Sequence, residues 1–217
     1  MENDTEIRES IQIDEIQTII NELLDKSKLP TDESYFVTQY GKLYERIIAS
    51  KHGDQRFLQV LDQNRSKLID LHPQVFRLLS RIMFALLDKL MELGVKSLLK
   101  DDKLHIINQI IILSQTFYKE KETNAERICL SEIISYHSIW GLKQIWEGII
   151  NFAIHEEIQR QKLFKTTITA YNKKVIVLTV LTTFKFNLKN FNVEHFDDVV
   201  NKVGKKYKIE PEEIADV

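Results

Sequence analysis

The sequence predicts an all-α fold, a multi-helix bundle or α-solenoid-like array of about 8–10 helices, on three observations. Apolar residues recur at steps of three and four along most of the chain, which is the helical period. Only 6 Gly and 3 Pro occur in 217 residues, too few to punctuate a sheet of many short strands or a phosphate-binding α/β scaffold. With 43% apolar and 29% charged residues, a chain of this length can bury a substantial core without metals or disulfides. The expected organisation is an N-terminal amphipathic helix at 1–30, a single helical domain at 31–210 and a C-terminal tail at 211–217.

The elements follow in order. Ile7, Ile11, Ile16, Ile19, Ile20, Leu23 and Leu24 fall largely on one face, and "KSKLPTD" breaks that helix at Pro30. Thr31 or Asp32 can cap a second helix, in which Tyr35, Phe36, Tyr40, Leu43, Tyr44 and Ile47 repeat until "SKHGD". A third carries Phe57, Leu58, Leu61, Leu68 and Ile69, and Pro73 suits the first turn of the fourth. That fourth helix, "VFRLLSRIMFALLDKLMELG", is apolar over most of its circumference and so is expected to be central. Gly94 stands where a helix C-terminus favours a residue with positive φ.

"KLHIINQIIILSQTFYK" is long enough to read as a fifth helix, although its isoleucines also suit a buried strand. Thr123 and Glu126 have capping-box spacing and start a sixth helix reaching about Ser135. Ser138 can cap the seventh, with Leu142, Trp146, Ile149 and Ala153 as its stripe and Trp140, Ile145, Phe152 and Ile154 off it. In 169–188 the Val, Ile, Thr and Phe content favours strand, while the flanking helices and the lack of turn residues favour helix. Asn192 then caps a helix with Val193, Phe196, Val199, Val200 and Val203 on its apolar side, and Pro211 opens a last turn.

The acidic start "MENDTEIRES" has the form of neither a signal nor a transit peptide, and the greasy run "VIVLTVLTTF" is well short of the ~20 residues that span a bilayer. With a lone Cys129, no internal disulfide can form, and a cytoplasmic location is expected.

Candidate chemistry is sparse. "IHEEI" lacks the second His that a zinc-protease helix needs four residues after His155, because position 159 is Gln. His195 with Asp198 is a two-ligand pair with no third ligand in sequence. Cys129 with His137 is a conceivable nucleophile and base, set against an inert buried thiol. Adjacent acids, Asp101 with Asp102 and Glu156 with Glu157, point apart on a helix. No enzyme, catalytic set, metal or cofactor is therefore expected.

Charge gives a better clue. Net charge is −2, yet residues 1–50 carry 11 acids against 5 bases, and residues 160–208 carry 11 bases against 3 acids, a local +8. Lys162, Lys165, Lys173, Lys174, Lys185, Lys189, Lys202, Lys205, Lys206 and Lys208 alternate with Phe184, Phe186, Phe191 and Tyr207. The segment can meet an anionic surface, whether nucleic acid or membrane, or an acidic protein; the preference for lysine over arginine disfavours nucleic acid. Its simplest reading remains solvated lysines over core aromatics. Candidate partner-binding residues are Trp140, either an exposed anchor or core, and Lys202, Lys205, Lys206 and Lys208.

Four stretches carry a resemblance: "FRLLSRIMFALLDKL", "DDKLHIINQIIILSQTFYKEKE", "SIWGLKQIWEGIINFAIHEEIQRQ" and "KVIVLTVLTTFKFNLKNFNVEHFDDVVNKVGKKYKI". Together they resemble the helical region outside the DENN module of the MAP-kinase-activating death domain protein and related Rab regulators, and that of the myotubularin-related SET-binding factors. The family stretch at the second tryptophan is richer in aromatics than Ile145, Trp146, Glu147 and Gly148 here. The resemblance implies an all-helical adaptor or accessory module linked to small-GTPase and vesicle-trafficking machinery. The expected function is a non-enzymatic protein-interaction module in such an assembly or in the cytoskeleton, with another protein, a Rab-type GTPase regulator or other complex subunits, as partner. Nucleotide exchange belongs to the DENN module and is not implied. It also favours helix for 169–188.

Overall fold

A computed structural model describes residues 15–50, 52–66, 70–121, 126–164, 168–191, 193–194 and 196–215. Among them are eleven α-helices and one two-stranded sheet, an all-α multi-helix fold. The helices are α1 (residues 15–24), α2 (Glu33–Ala49), α3 (Gly53–Asn64), α4 (Pro73–Glu92), α5 (Val95–Leu98), α6 (Asp101–Thr116), α7 (Leu130–Ile134), α8 (Lys143–Phe164), α9 (Ala170–Asn190), α10 (Phe196–Lys206) and α11 (Pro211–Ala215). Strands β1 (Tyr118–Glu120) and β2 (Arg127–Cys129) lie between α6 and α7.

The residues group into two compact units, Met1–Asp88 with Gln109–Ile134, and Lys89–Asn108 with Ser135–Val217. Each draws on two separate stretches of chain, and no change of composition marks their boundaries within α4 and α6.

In the first unit, Ile16, Ile20, Leu23 and Leu24 of α1 are buried, as are Phe36, Leu43 and Ile47 of α2 and Phe57, Leu58, Val60 and Leu61 of α3. Asp32, not Thr31, caps α2, its carboxylate accepting from the Ser34 N–H at 3.0 Å. Tyr44, expected on the apolar side, is partly exposed and stacks on Tyr40 with ring centroids 5.8 Å apart. Pro73 opens α4 as anticipated, where its missing N–H is no loss. Ile7, Ile11, Leu68 and Ile69 lie outside the described residues.

The hairpin corrects the helical reading of this region. The fifth helix ends at Thr116, and β1 pairs antiparallel with β2, Tyr118 opposite Cys129 and Glu120 opposite Arg127. Three further contacts hold it: the Leu71 N–H donates to the Tyr118 carbonyl at 2.7 Å, the Leu130 N–H to the Phe117 carbonyl at 3.0 Å, and the Arg127 guanidinium lies 4.5 Å from the Tyr118 ring centre. Thr123 is outside the described residues, and Glu126 precedes β2, pairing with Lys121. The sixth helix begins only at Leu130, where the Glu132 carboxylate accepts from the Cys129 N–H at 2.9 Å. That is the reach-back half of a capping box, built on a cysteine that no capping rule picks out.

In the second unit, α8, α9 and α10 pack mutually, with α5 on α8 and α11 on α9. Gly94 has φ +74° just past the end of α4, a conformation that glycine adopts without steric penalty. Ser138 does not cap α8. It starts a 3-10 turn over Ser138–Gly141, capped by His137, whose Nδ1 accepts from the Ile139 N–H at 3.1 Å. The α8 stripe is displaced from the expected one, with Ile145, Trp146, Ile149, Ile150, Ile154 and Ile158 buried and Leu142 and Ala153 only half-buried.

Segment 170–190 is helix, capped by Thr169, which accepts from the Asn172 N–H at 3.1 Å. Two of its threonines are accommodated because the Thr179 and Thr183 hydroxyls donate back to the Val175 and Thr179 carbonyls, each at 2.9 Å. The stretch from Pro211, read as a tail, is α11: Ile214 is buried, Glu213 pairs with Lys174, and the Glu210 N–H donates to the Glu213 carboxylate at 3.2 Å.

Candidate partner-binding surface

α10 places three of the four candidate lysines and the turn after it the fourth. Asp197 and Asp198 occupy its first turn, Lys205 and Lys206 its last, so its charges complement the helix dipole at both ends. Val199, Val200 and Val203 are buried beneath them. The lysines then diverge. Lys202 Nζ is 2.8 Å from Glu147 Oε1 on α8, and Lys206 Nζ donates to Asn151 Oδ1 at 2.9 Å, one turn further along α8. Lys205 and Lys208 are exposed and have no ion pair among the described residues.

Lys208 has φ +59°, the left-handed position after α10. The Ile209 N–H donates to the Gly204 carbonyl at 3.1 Å and the Lys208 N–H to the Lys205 carbonyl at 3.1 Å, the two bonds of a Schellman ending, with Ile209 buried. Glycine is the residue this site favours, so Lys208→Gly is expected to stabilise the protein by about 1 kcal/mol, read as a rise in urea midpoint with an unchanged slope. An equal loss in Lys208→Gly would show that the lysine side chain itself holds the turn.

Trp140 is not an exposed anchor: it is 2% exposed. Its ring centre lies 5.3 Å from that of Trp146 and 4.7 Å from that of Phe191, and its carbonyl accepts from Trp146 Nε1 at 2.8 Å. The turn at Ser138–Gly141 directs it inward to cover α8.

The other candidates separate. Glu156 lies 3.5 Å from His105 Nδ1, while Glu157 binds Arg160 through two 2.8 Å hydrogen bonds, and that guanidinium holds its carboxyl below the usual range. The two acids thus serve different partners. Asp101 and Asp102 sit in the first turn of α6. Among the described residues no three His, Cys, Asp or Glu side chains group as metal ligands; His195 and Lys165 are outside them.

Cys129 belongs to the first unit and His137 to the second. Burial, then the Glu132 carboxylate, pushes the Cys129 thiol up, which disfavours the thiolate a nucleophile needs. Alkylation of Cys129 at pH 7 is accordingly expected to be slower than that of a free thiol, with a rate still climbing above pH 9; a plateau at or below pH 8 would contradict this placement.

The sequence reading missed a second face of α9. Tyr171, Val175 and Phe186 are 75%, 44% and 65% exposed, opposite the buried Val177, Leu181, Phe184 and Leu188. The exposed three lie four and eleven residues apart, a helical spacing, but in a segment apolar on nearly every side it does not stand out. Among the described residues no helix is long and apolar enough to cross a membrane. Compared with protein-family models, curated proteins and solved structures, the chain matches none.

Proposed function

We propose that this chain is a non-enzymatic protein-interaction module, an adaptor or scaffold subunit of a larger cytoplasmic assembly in vesicle trafficking, small-GTPase regulation or the cytoskeleton. The observation that carries this reading is the set of large apolar side chains left in solvent on the second unit, Tyr136, Leu163, Tyr171 and Phe186, each at least 65% exposed. Tyr171 and Phe186 share one face of α9, and apolar surface gathered on one face is stabilised by burial against a partner. The likeness of the four quoted stretches to the DENN-associated helical region supports the trafficking context. The test is affinity purification of the tagged chain from its own cells with mass spectrometry. A reproducible set of co-purifying proteins is expected, and recovery of none above an untagged control would overturn the reading.

The +8 segment favours a second reading, a binder of an anionic surface. Lys173, Lys189, Lys205 and Lys208 are exposed and free of ion pairs among the described residues. This reading requires binding to anionic vesicles or single-stranded nucleic acid that weakens steeply with salt. Against it, Lys174, Lys202 and Lys206 already have partners in Glu213, Glu147 and Asn151.

A further inference from the structure

We infer that the outer face of α9 is a coiled-coil-like seam that receives an acidic amphipathic helix of another protein. The inference rests on the interaction-module reading and names the partner's chemistry. Tyr171, Val175, Leu178 and Thr182 follow one another at steps of four, three and four, with Phe186 one turn beyond. At 100° per residue these five positions fall within about 80° of arc and run about 22 Å along the helix, or roughly four turns. The steps of four and three match a heptad seam, and the narrow arc matches the width of one. Tyr171, Val175 and Phe186 are exposed, and Leu178 and Thr182 are half-buried.

The opposite side of α9 is committed to the fold. Val177, Leu181, Phe184 and Leu188 are buried, and α8, α10 and α11 pack against the helix. α9 therefore offers a fixed ridge without ordering entropy of its own.

Charge selects the occupant. α9 contains Lys173, Lys174, Lys185 and Lys189 and no Asp or Glu. Lys174 is held by Glu213, whereas Lys185 lies at the edge of the arc beside Phe186 and Lys189 within the arc, closing its C-terminal end, with no ion pair among the described residues. A helix with Glu or Asp beside its apolar seam would pair with them. A second copy of α9 would bring lysine against lysine in either orientation and offer no acid. An anionic bilayer suits the seam less well than a helix does, because an interfacial helix presents a broad apolar face and this one is narrow.

The test uses the full chain and three synthetic helices about four heptads long, with Leu at the seam positions and Glu, Lys or Gln at the flanks. Anionic vesicles of phosphatidylserine and phosphatidylcholine form a parallel arm. The Glu helix is expected to bind at least tenfold tighter than the Lys helix. That binding is expected to fall about tenfold in Tyr171→Ser/Phe186→Ser and in Lys185→Glu/Lys189→Glu, changes at three exposed positions and the half-buried Lys185, with folding checked by circular dichroism. Binding of the Lys helix as tight as that of the Glu helix, indifference to both double variants, seam-dependent vesicle binding without peptide binding, or a concentration-dependent dimer lost in the Tyr171→Ser/Phe186→Ser variant would each overturn the inference. If the purification recovers partners that both double variants retain, the seam fails while the module reading stands. If it recovers none, the module reading itself fails.

Discussion

Replacing Trp146 by alanine is expected to destabilise the second unit by at least about 4 kcal/mol, a large part of the total for a typical domain. Trp146 is fully buried, its ring centre 5.3 Å from that of Trp140 and 5.7 Å from that of Phe191. Truncation opens a void that these two rings cannot fill without leaving their own contacts. It also removes the indole N–H that donates to the Trp140 carbonyl at 2.8 Å, and with it a buried hydrogen bond. Trp146→Phe separates the two effects, because it keeps most of the volume and loses the donor, so a loss of about 1–3 kcal/mol is expected. Urea unfolding followed by the fluorescence of the remaining Trp140 measures both. A shift below about 1 kcal/mol in the alanine variant would mean that the aromatic cluster is not the centre of this unit.

Gly53→Ala tests packing against propensity, with opposite signs. Gly53 opens α3 without a positive φ, so propensity alone favours alanine there by up to about 1 kcal/mol. Space forbids it. A Cβ on Gly53 would lie 2.6 Å from the Ile47 carbonyl oxygen, 2.8 Å from the Ile47 Cα and 3.0 Å from the Arg46 carbonyl oxygen. These are backbone atoms of the last turns of α2, and Ile47, Phe57 and Leu58 hold the two helices in place from within the core. The turn can open only by disturbing that packing, and a net loss of about 2–4 kcal/mol is expected. A Gly53→Ala variant as stable as the parent in urea would refute the close approach of α2 and α3.

The fold class was legible because helix formation leaves local marks. The period of three and four in α1 to α4 and α10, the Asp32 cap, Pro73 at the start of α4, Gly94 beyond its end and Pro211 at the start of α11 are all decided within a few residues. The hairpin was not legible, because Tyr118 to Cys129 is held by Leu71, Phe117 and the Arg127–Tyr118 contact, and Leu71 comes from a stretch of chain far from the hairpin in sequence. α9 stood ambiguous between strand and helix for a related reason. Its Val and Thr residues favour strand intrinsically, and back-bonded hydroxyls together with three packed neighbours override that preference.

The candidate site divides the same way. Sequence alone located the +8 segment and the helix that carries Lys202, Lys205 and Lys206, since charge and period are properties of the chain. Only the tertiary structure decided that Trp140 is buried, that Lys202 and Lys206 are engaged by Glu147 and Asn151, and that Tyr171, Val175 and Phe186 face water. Periodicity states that residues share a face; which face is covered depends on neighbours distant in sequence, here α8, α10 and α11 around α9. A helix apolar on two sides carries no local record of which side its own chain will bury.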